Sequence, residues 1–325
     1  MRRFFTCLLL CLAPLFLSAQ DEQDPYVVIG MDDDPNYAQF MLQLGFGLET
    51  DFQFRSEVPL SAELRYDMEK IPFEFEVSIM RSAFSERGRS FYPDNLSDNE
   101  FQAYSNFEIG GVYNFFDRST TEPMRVTVEK KWRRRSTGKD ELTEYYVMVD
   151  GTVRRRWGVR WGVFRYAQSI TDYDADGQSI VFPDGTTFPD ADNPWEEKPS
   201  TDDRYYFTAE RHLVGYLGMV FHCSKGLVLD IEDHGLRDSE VNVFLYADAL
   251  FSVASDIQKL SFGGNLYDLN DATSGVDLNN LGFRVGAKRV ESKIFYSLEF
   301  GLRPQYFDSK IYTQVLLGYS FNRNF

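Results

Sequence analysis

Phe40-Met41-Leu42-Gln43-Leu44-Gly45-Phe46-Gly47-Leu48-Glu49 decides the fold. Drawn as an extended chain, it puts Phe40, Leu42, Leu44, Phe46 and Leu48 on one side. Gln43, Gly45, Gly47 and Glu49 take the other. Strict alternation is the signature of a strand with one apolar face, because successive side chains of a pleated chain point in opposite directions. The apolar phase lasts for about 9–11 residues, the length a tilted strand needs to cross the hydrocarbon of a bilayer.

The same pattern recurs in both directions along the chain. Leu60, Ala62, Leu64, Tyr66 and Met68 alternate with Ser61, Glu63, Arg65 and Asp67. Phe73, Phe75, Val77 and Ile79 alternate with Glu74, Glu76 and Ser78. Further segments centre on Phe107–Phe115, Met124–Trp132, Tyr145–Val149, Trp157–Val163, Leu213–Phe221, Val241–Leu245, Leu281–Val285, Ile294–Leu302 and Val315–Phe325. The expectation is an all-β fold, a transmembrane antiparallel β-barrel of about 12 strands with long outer loops. An even count returns both ends of the chain to the same side.

Connection lengths fit that reading. Lys70-Ile71-Pro72, Asp117 to Pro123, Asp150-Gly151-Thr152 and Glu291-Ser292-Lys293 read as tight turns at one end. Ser85 to Gln102, Ala167 to Asp203 and Ser255 to Asn280 are long and fall at the other. Short periplasmic turns and long outer loops are the asymmetry of outer-membrane barrels. Residues 224–239 break the pattern, since Leu227-Val228-Leu229-Asp230-Ile231 would make the count odd; they read as a periplasmic insertion. A soluble secreted β-sandwich is the competing fold, because it too alternates.

The N-terminus reads as an export signal over residues 1–19. Arg2 and Arg3 precede the apolar run Phe4 to Leu17, and Ser18-Ala19-Gln20 supplies small residues for cleavage. That run is too short for a spanning helix of roughly 20 residues. Residues 20–37 read as a short periplasmic segment and 38–325 as the barrel. A lipoprotein reading through Cys11 is weakened by Leu9-Leu10, where small residues belong. With Cys7 and Cys11 removed, Cys223 stands alone, so neither a disulfide framework nor a zinc cluster is expected.

The formal net charge of −16 argues against nucleic-acid binding, which needs a basic face. In the inward phase, Glu63, Asp67, Glu74, Glu76 and Glu108 form an acidic wall. Arg125, Lys131, Arg133, Arg154, Arg156 and Arg160 form a basic one. Opposed charges across a pore create a transverse field that orients and selects solutes. The same charges, paired across a narrow barrel, would plug it. Inward glycines such as Gly110, Gly162, Gly286 and Gly318 leave room for water or for a plug, which argues against a lumen filled by its own side chains. The expected function is a narrow, charge-lined pore for small polar solutes. The alternative is a plugged barrel serving as a surface-exposed structural or docking protein, associated with a secretion or motility apparatus.

Other chemistry is thin. Asp172, Asp174 and Asp176, followed by Gly177, open like a calcium loop, but Pro183 stands where the closing acid belongs. Weak calcium binding is the most that loop supports; no other cofactor is expected. The histidines are His212, His222 and His234, and no enzymatic activity is expected. The run Tyr-x-x-His-x-Ser-Asn of an outer-membrane phospholipase does not occur.

The last stretch, Val315-Leu316-Leu317-Gly318-Tyr319-Ser320-Phe321-Asn322-Arg323-Asn324-Phe325, resembles the C-terminal strand of bacterial outer-membrane proteins. That resemblance implies a Gram-negative outer-membrane location, with Tyr319, Phe321 and Phe325 as the signal read by the barrel-assembly machinery. It also implies outer-membrane lipid and lipopolysaccharide as surroundings. The signal ending Ser18-Ala19-Gln20 is similar to those of Bacteroidota. Asp34 to Met41 resembles the start of a type IX secretion and gliding-motility family, but the Asn-Pro-Ala-Tyr run expected next is absent.

Overall fold

The computed structural model describes residues 21–22, 26–33, 39–51, 56–68, 71–85, 99, 103–134, 140–171, 180–185, 187–188, 207–262, 265–273, 276, 278–291, 293–306 and 311–323. The expected export signal, residues 1–19, lies outside them. The chain divides into two compact units.

The larger unit holds a closed antiparallel barrel of ten strands. They are β1 (Phe40–Asp51), β2 (Ser56–Met68), β3 (Phe73–Ser85), β4 (Ser105–Arg134) and β5 (Asp140–Thr171). After them come β6 (Phe207–Lys225), β7 (Val241–Ile257), β8 (Leu281–Glu291), β9 (Ile294–Leu302) and β10 (Ile311–Arg323). Each strand pairs with its neighbours in sequence, and β10 closes the ring on β1, from Arg323 against Phe40 to Tyr312 against Asp51. Closure removes the free edges that an open sheet would expose.

Ten strands, not about 12, is a correction with a simple cause. β4 is 30 residues long and β5 is 32. The polar stretch Asp117 to Pro123 lies inside β4 as continuous strand, and Asp150-Gly151-Thr152 lies inside β5. Each has the composition of a turn, and taking it for one splits two strands into four. A spanning strand needs only about 9–11 residues. β4 and β5 continue well past that length, and their residues Thr120–Val153 belong to the smaller unit. Polarity there marks where the alternation leaves the barrel wall, not where the chain reverses.

The outer face of the wall is apolar. Leu44, Phe46, Ile79, Phe107, Trp157, Trp161, Leu217, Phe251, Val285, Val315 and Leu317 are all exposed. The alternate residues turn inward, and Gln43, Glu74, Glu108, Arg160, Asp248 and Arg284 are buried. This inverts a soluble protein, and the inversion excludes the β-sandwich reading, whose apolar face would be the buried one. Tyr319 and Phe321 are also exposed, on β10, with ring centroids 4.7 Å apart. Phe325 lies outside the described residues.

Beyond the long-loop end of the strands, the connections of this unit build a second small core. Phe182, Ile257, Leu260, Leu269 and Tyr306 are buried against one another. Asn99 ties the loop before β4 to this layer: its side chain donates to Lys259 O at 3.0 Å and accepts from Ser261 N at 2.9 Å.

The described residues of the smaller unit lie within 21–33, 120–153 and 225–240. Its three-stranded antiparallel sheet runs Gly235–Asp238, Leu227–Ile231, Val28–Asp33. Leu227, Leu229 and Ile231 alternate with less buried neighbours and form its core with Met124, Val126 and Val128. The hairpin at Glu232 to Gly235 turns through positive φ at Asp233 and Gly235, a conformation Gly tolerates without cost and Asp better than most. Asp33 fixes the first strand by accepting from Thr152 N at 2.9 Å and Thr152 Oγ1 at 2.7 Å.

Candidate functional site

Alternation carries the polar phase of the strands into the barrel, where Glu74, Glu76, Glu108, Arg160, Asp248 and Arg284 are buried. Such groups must pair or be held by hydrogen bonds. They do so in an extended lattice. Arg160 on β5 donates to Glu76 Oε2 at 3.0 Å and Glu108 Oε1 at 2.9 Å, and also to Asp248. Arg284 on β8 donates to both oxygens of Glu108, at 2.8 and 2.7 Å, and to Asp248 Oδ2 at 2.7 Å. Planar guanidinium forks suit such two-point contact with carboxylates.

The lattice continues on either side of that centre. Arg65 bonds Glu74 and lies 3.2 Å from Glu76. Arg156 bonds Asp67 and lies 3.0 Å from Glu74. It also donates to His222 Nδ1, which leaves the ring's Nε2–H for Asn242 Oδ1 at 2.9 Å. Arg303 holds Glu49 with two bonds, at 2.6 and 2.9 Å. Lys288 holds Glu63. Aromatic rings fill the gaps: the guanidinium of Arg284 lies 4.5 Å from the Tyr216 ring centroid, and that of Arg303 lies 3.7 Å from Tyr312. A cavity of about 90 Å³ remains, lined in part by Glu63, Arg65, Glu76, Arg160, Lys288 and Glu299.

The expectation that inward glycines leave room is corrected by the packing around them. A Cβ at Gly110 or Gly162 would overlap the Tyr216 hydroxyl. One at Gly286 would overlap the Tyr246 ring, and one at Gly318 would meet Phe295. A glycine on one strand is the seat of an aromatic ring from elsewhere in the wall.

Of the expected acidic wall, Glu63, Asp67, Glu74, Glu76 and Glu108 all lie in this lattice. Of the basic wall, Arg156 and Arg160 lie at its heart, and Arg154 sits nearer the surface with Asp117. Arg125 and Lys131 do not line the lumen. Both belong to the smaller unit, exposed, and pair there with Glu144 and Glu129. The misplacement follows from counting Met124–Trp132 as a barrel strand. The side chain of Arg133 lies outside the described residues, as do Asp172, Asp174 and Asp176. Asp248, Lys288, Arg303 and Glu49 escape the sequence reading as site residues. Their signal is present, as charged residues in the inward phase of β1 and β7–β8 or at the end of β9, but partners 36 to 254 residues apart cannot be matched by spacing.

The strands and the lumen together define a class: a closed antiparallel barrel with an apolar exterior and an ion-paired interior. No protein-family model and no curated protein sequence matches the chain. Among solved structures it is similar to OmpT, an outer membrane protein of Vibrio cholerae, at 10% identity over 90% of this chain and 99% of that one, with a TM-score of 0.21. A mutant of the Rh. blastica porin is similar at 9% identity over 86% and 99%, with a TM-score of 0.19. At such TM-scores the architecture rests on this chain's own strand pairing.

Proposed function

We propose that the protein is a Gram-negative outer-membrane barrel with a closed lumen, acting as a structural or docking protein. The apolar belt matches what hydrocarbon demands of a barrel exterior, where a lipid-facing Arg or Lys costs roughly 2–4 kcal/mol at the midplane. Outer-membrane lipid and lipopolysaccharide are its surroundings, and the barrel-assembly machinery reads its last strand. The loops at one end, and the smaller unit, are the surfaces it offers to partners.

The observation that carries closure is the shared pairing of Arg160 and Arg284 with Glu108 and Asp248. Opening a path there means separating buried charges, and stranding one such partner costs about 3–5 kcal/mol. Planar-bilayer recording of the purified, refolded protein tests this. The expected result is no stable conductance. Reproducible ohmic channels from the wild type would overturn it.

The second reading is the narrow charge-lined pore for small polar solutes. The cavity of about 90 Å³ favours it, since that space accommodates several waters beside Glu63, Arg160 and Lys288. Under this reading, conductance is small and depends on those charges.

A further inference from the structure

A separate polar cluster lies where β5, β6 and β7 approach the loop layer. Glu210 and His212 stand two residues apart on β6, both inward, and both side chains are fully buried. His212 Nδ1 lies 2.8 Å from Ser255 Oγ on β7. His212 Nε2 lies 2.8 Å from Glu210 Oε2. A hydroxyl, an imidazole and a carboxylate are thus joined in line through the two ring nitrogens. That is the arrangement by which a serine is made nucleophilic.

Each member is held in place by its surroundings. Glu210 also accepts from Tyr306 N at 3.0 Å and from Gln168 Nε2. All of these partners are donors, so a carboxylate there takes the proton-bearing side of the ring. His212 Nε2 then carries hydrogen, and Nδ1 is the acceptor for the Ser255 hydroxyl. The Tyr166 ring stacks on the imidazole at 4.8 Å and 17°, which fixes its plane.

The placement of Ser255 depends on a slip in the strand. Along β7 the inward residues are even-numbered from Asn242 to Ser252. Val253 and Ala254 are then both exposed, and the inward phase resumes at Ser255 and Ile257. The ladder with β8 ends at Phe251 and Leu281. Such slips re-aim side chains at sheet rims and beside active sites. Here the slip brings a second hydroxyl, that of Ser252, to 2.7 Å from Ser255 Oγ. Ser255 is only partly buried, while its base and acid are covered.

We propose that Ser255, His212 and Glu210 form an acyl-transfer site that hydrolyses small carboxylic esters. Ser255 Oγ attacks the ester carbonyl carbon while its proton passes to His212 Nδ1. The tetrahedral intermediate collapses, the C–O bond to the alcohol breaks, and the alcohol leaves with the proton from Nδ1. Water then attacks the acyl-serine, gives a proton to Nδ1, and releases the carboxylic acid as Ser255 recovers its hydrogen. Ser252 Oγ, 2.7 Å from Ser255 Oγ, is the hydroxyl that would donate to the developing oxyanion. Glu210 is a positioning residue: it touches the imidazole and not the reacting atoms.

The test uses the full-length protein folded in detergent, with a fluorophosphonate probe and p-nitrophenyl butyrate. Folding of every variant is checked by heat-modifiable migration. The probe is expected on Ser255 by peptide mass spectrometry, and S255A abolishes both labelling and turnover. H212A slows labelling by at least about 100-fold, the scale of lost general-base catalysis. In E210Q kcat falls while KM for p-nitrophenyl butyrate is unchanged, and E210D restores part of the loss. A folded wild type that leaves Ser255 unlabelled overturns the proposal. So does labelling whose rate is indifferent to H212A.

Discussion

Arg160 and Arg284, on strands β5 and β8, grip the same two carboxylates, Glu108 and Asp248. Two cations and two anions close a ring across the barrel. Each guanidinium also faces an aromatic ring, Arg160 at 4.7 Å from Tyr246 and Arg284 at 4.5 Å from Tyr216.

Because the ring is shared, breaking it from one side strands a charge. Glu108→Gln leaves Arg284 with Asp248 as its bonded carboxylate and Arg160 with Asp248 and Glu76, and should destabilise the folded barrel by about 3–5 kcal/mol. Replacing Arg160 and Glu108 together should cost less than the sum of the single changes. Urea unfolding in detergent, followed by heat-modifiable migration, measures both. Additive single and double variants would show that the ring is not a unit.

If the ring closes the lumen, its removal should open it. Arg160→Ala with Arg284→Ala should turn a silent barrel into a conducting one that favours cations, since Glu108 and Asp248 lose both arginines and Glu76 keeps only Arg65. The measurement is single-channel reversal potential in a salt gradient. A double variant as silent as the wild type would mean that the aromatic residues, not the charges, block the passage.

Gly286 seats the Tyr246 ring. Gly286→Ala should therefore cost about 1–3 kcal/mol by overpacking. Tyr246→Leu should relieve most of that cost in the double variant, at the expense of the hydroxyl's bond to Glu299. Thermal midpoints of the four proteins close the cycle. No rescue by Tyr246→Leu would place the clash elsewhere.

In the smaller unit, Asp33 accepts from both the amide and the hydroxyl of Thr152. Asp33→Ala should loosen the strand Val28–Asp33 by about 1–3 kcal/mol, the cost of stranding its donors. Hydrogen exchange at that strand should speed up accordingly, while β8 and β9 keep their protection. Unchanged exchange at Val28–Asp33 would mean that its pairing with Leu227–Ile231 suffices.

Trp161 is exposed on the barrel exterior and its neighbour Arg160 is buried. With a cysteine at Trp161, a label should be quenched from the lipid side, and one at Arg160 should not. The reverse result would invert the wall.

The strands and their two phases are legible in the sequence by itself. Period-two alternation is a local property, and Phe40 to Glu49 shows it without reference to any other residue. Which phase faces hydrocarbon follows as well, because charges such as Arg160 and Arg284 are costly in lipid. Strand number is not legible. Asp117 to Pro123 and Asp150 to Thr152 have the composition of turns, and only pairing along the whole of β4 and β5 shows that the chain runs straight through. The lumen likewise has to be folded to be read. Glycine spacing suggests room, but whether Gly110 or Gly286 faces water or a tyrosine depends on which strand closes over it. Charge pairing and the Ser255–His212–Glu210 line are contacts between residues far apart in the chain. The sequence supplies the side chains and the face they point to; register and closure of the ring decide which of them meet.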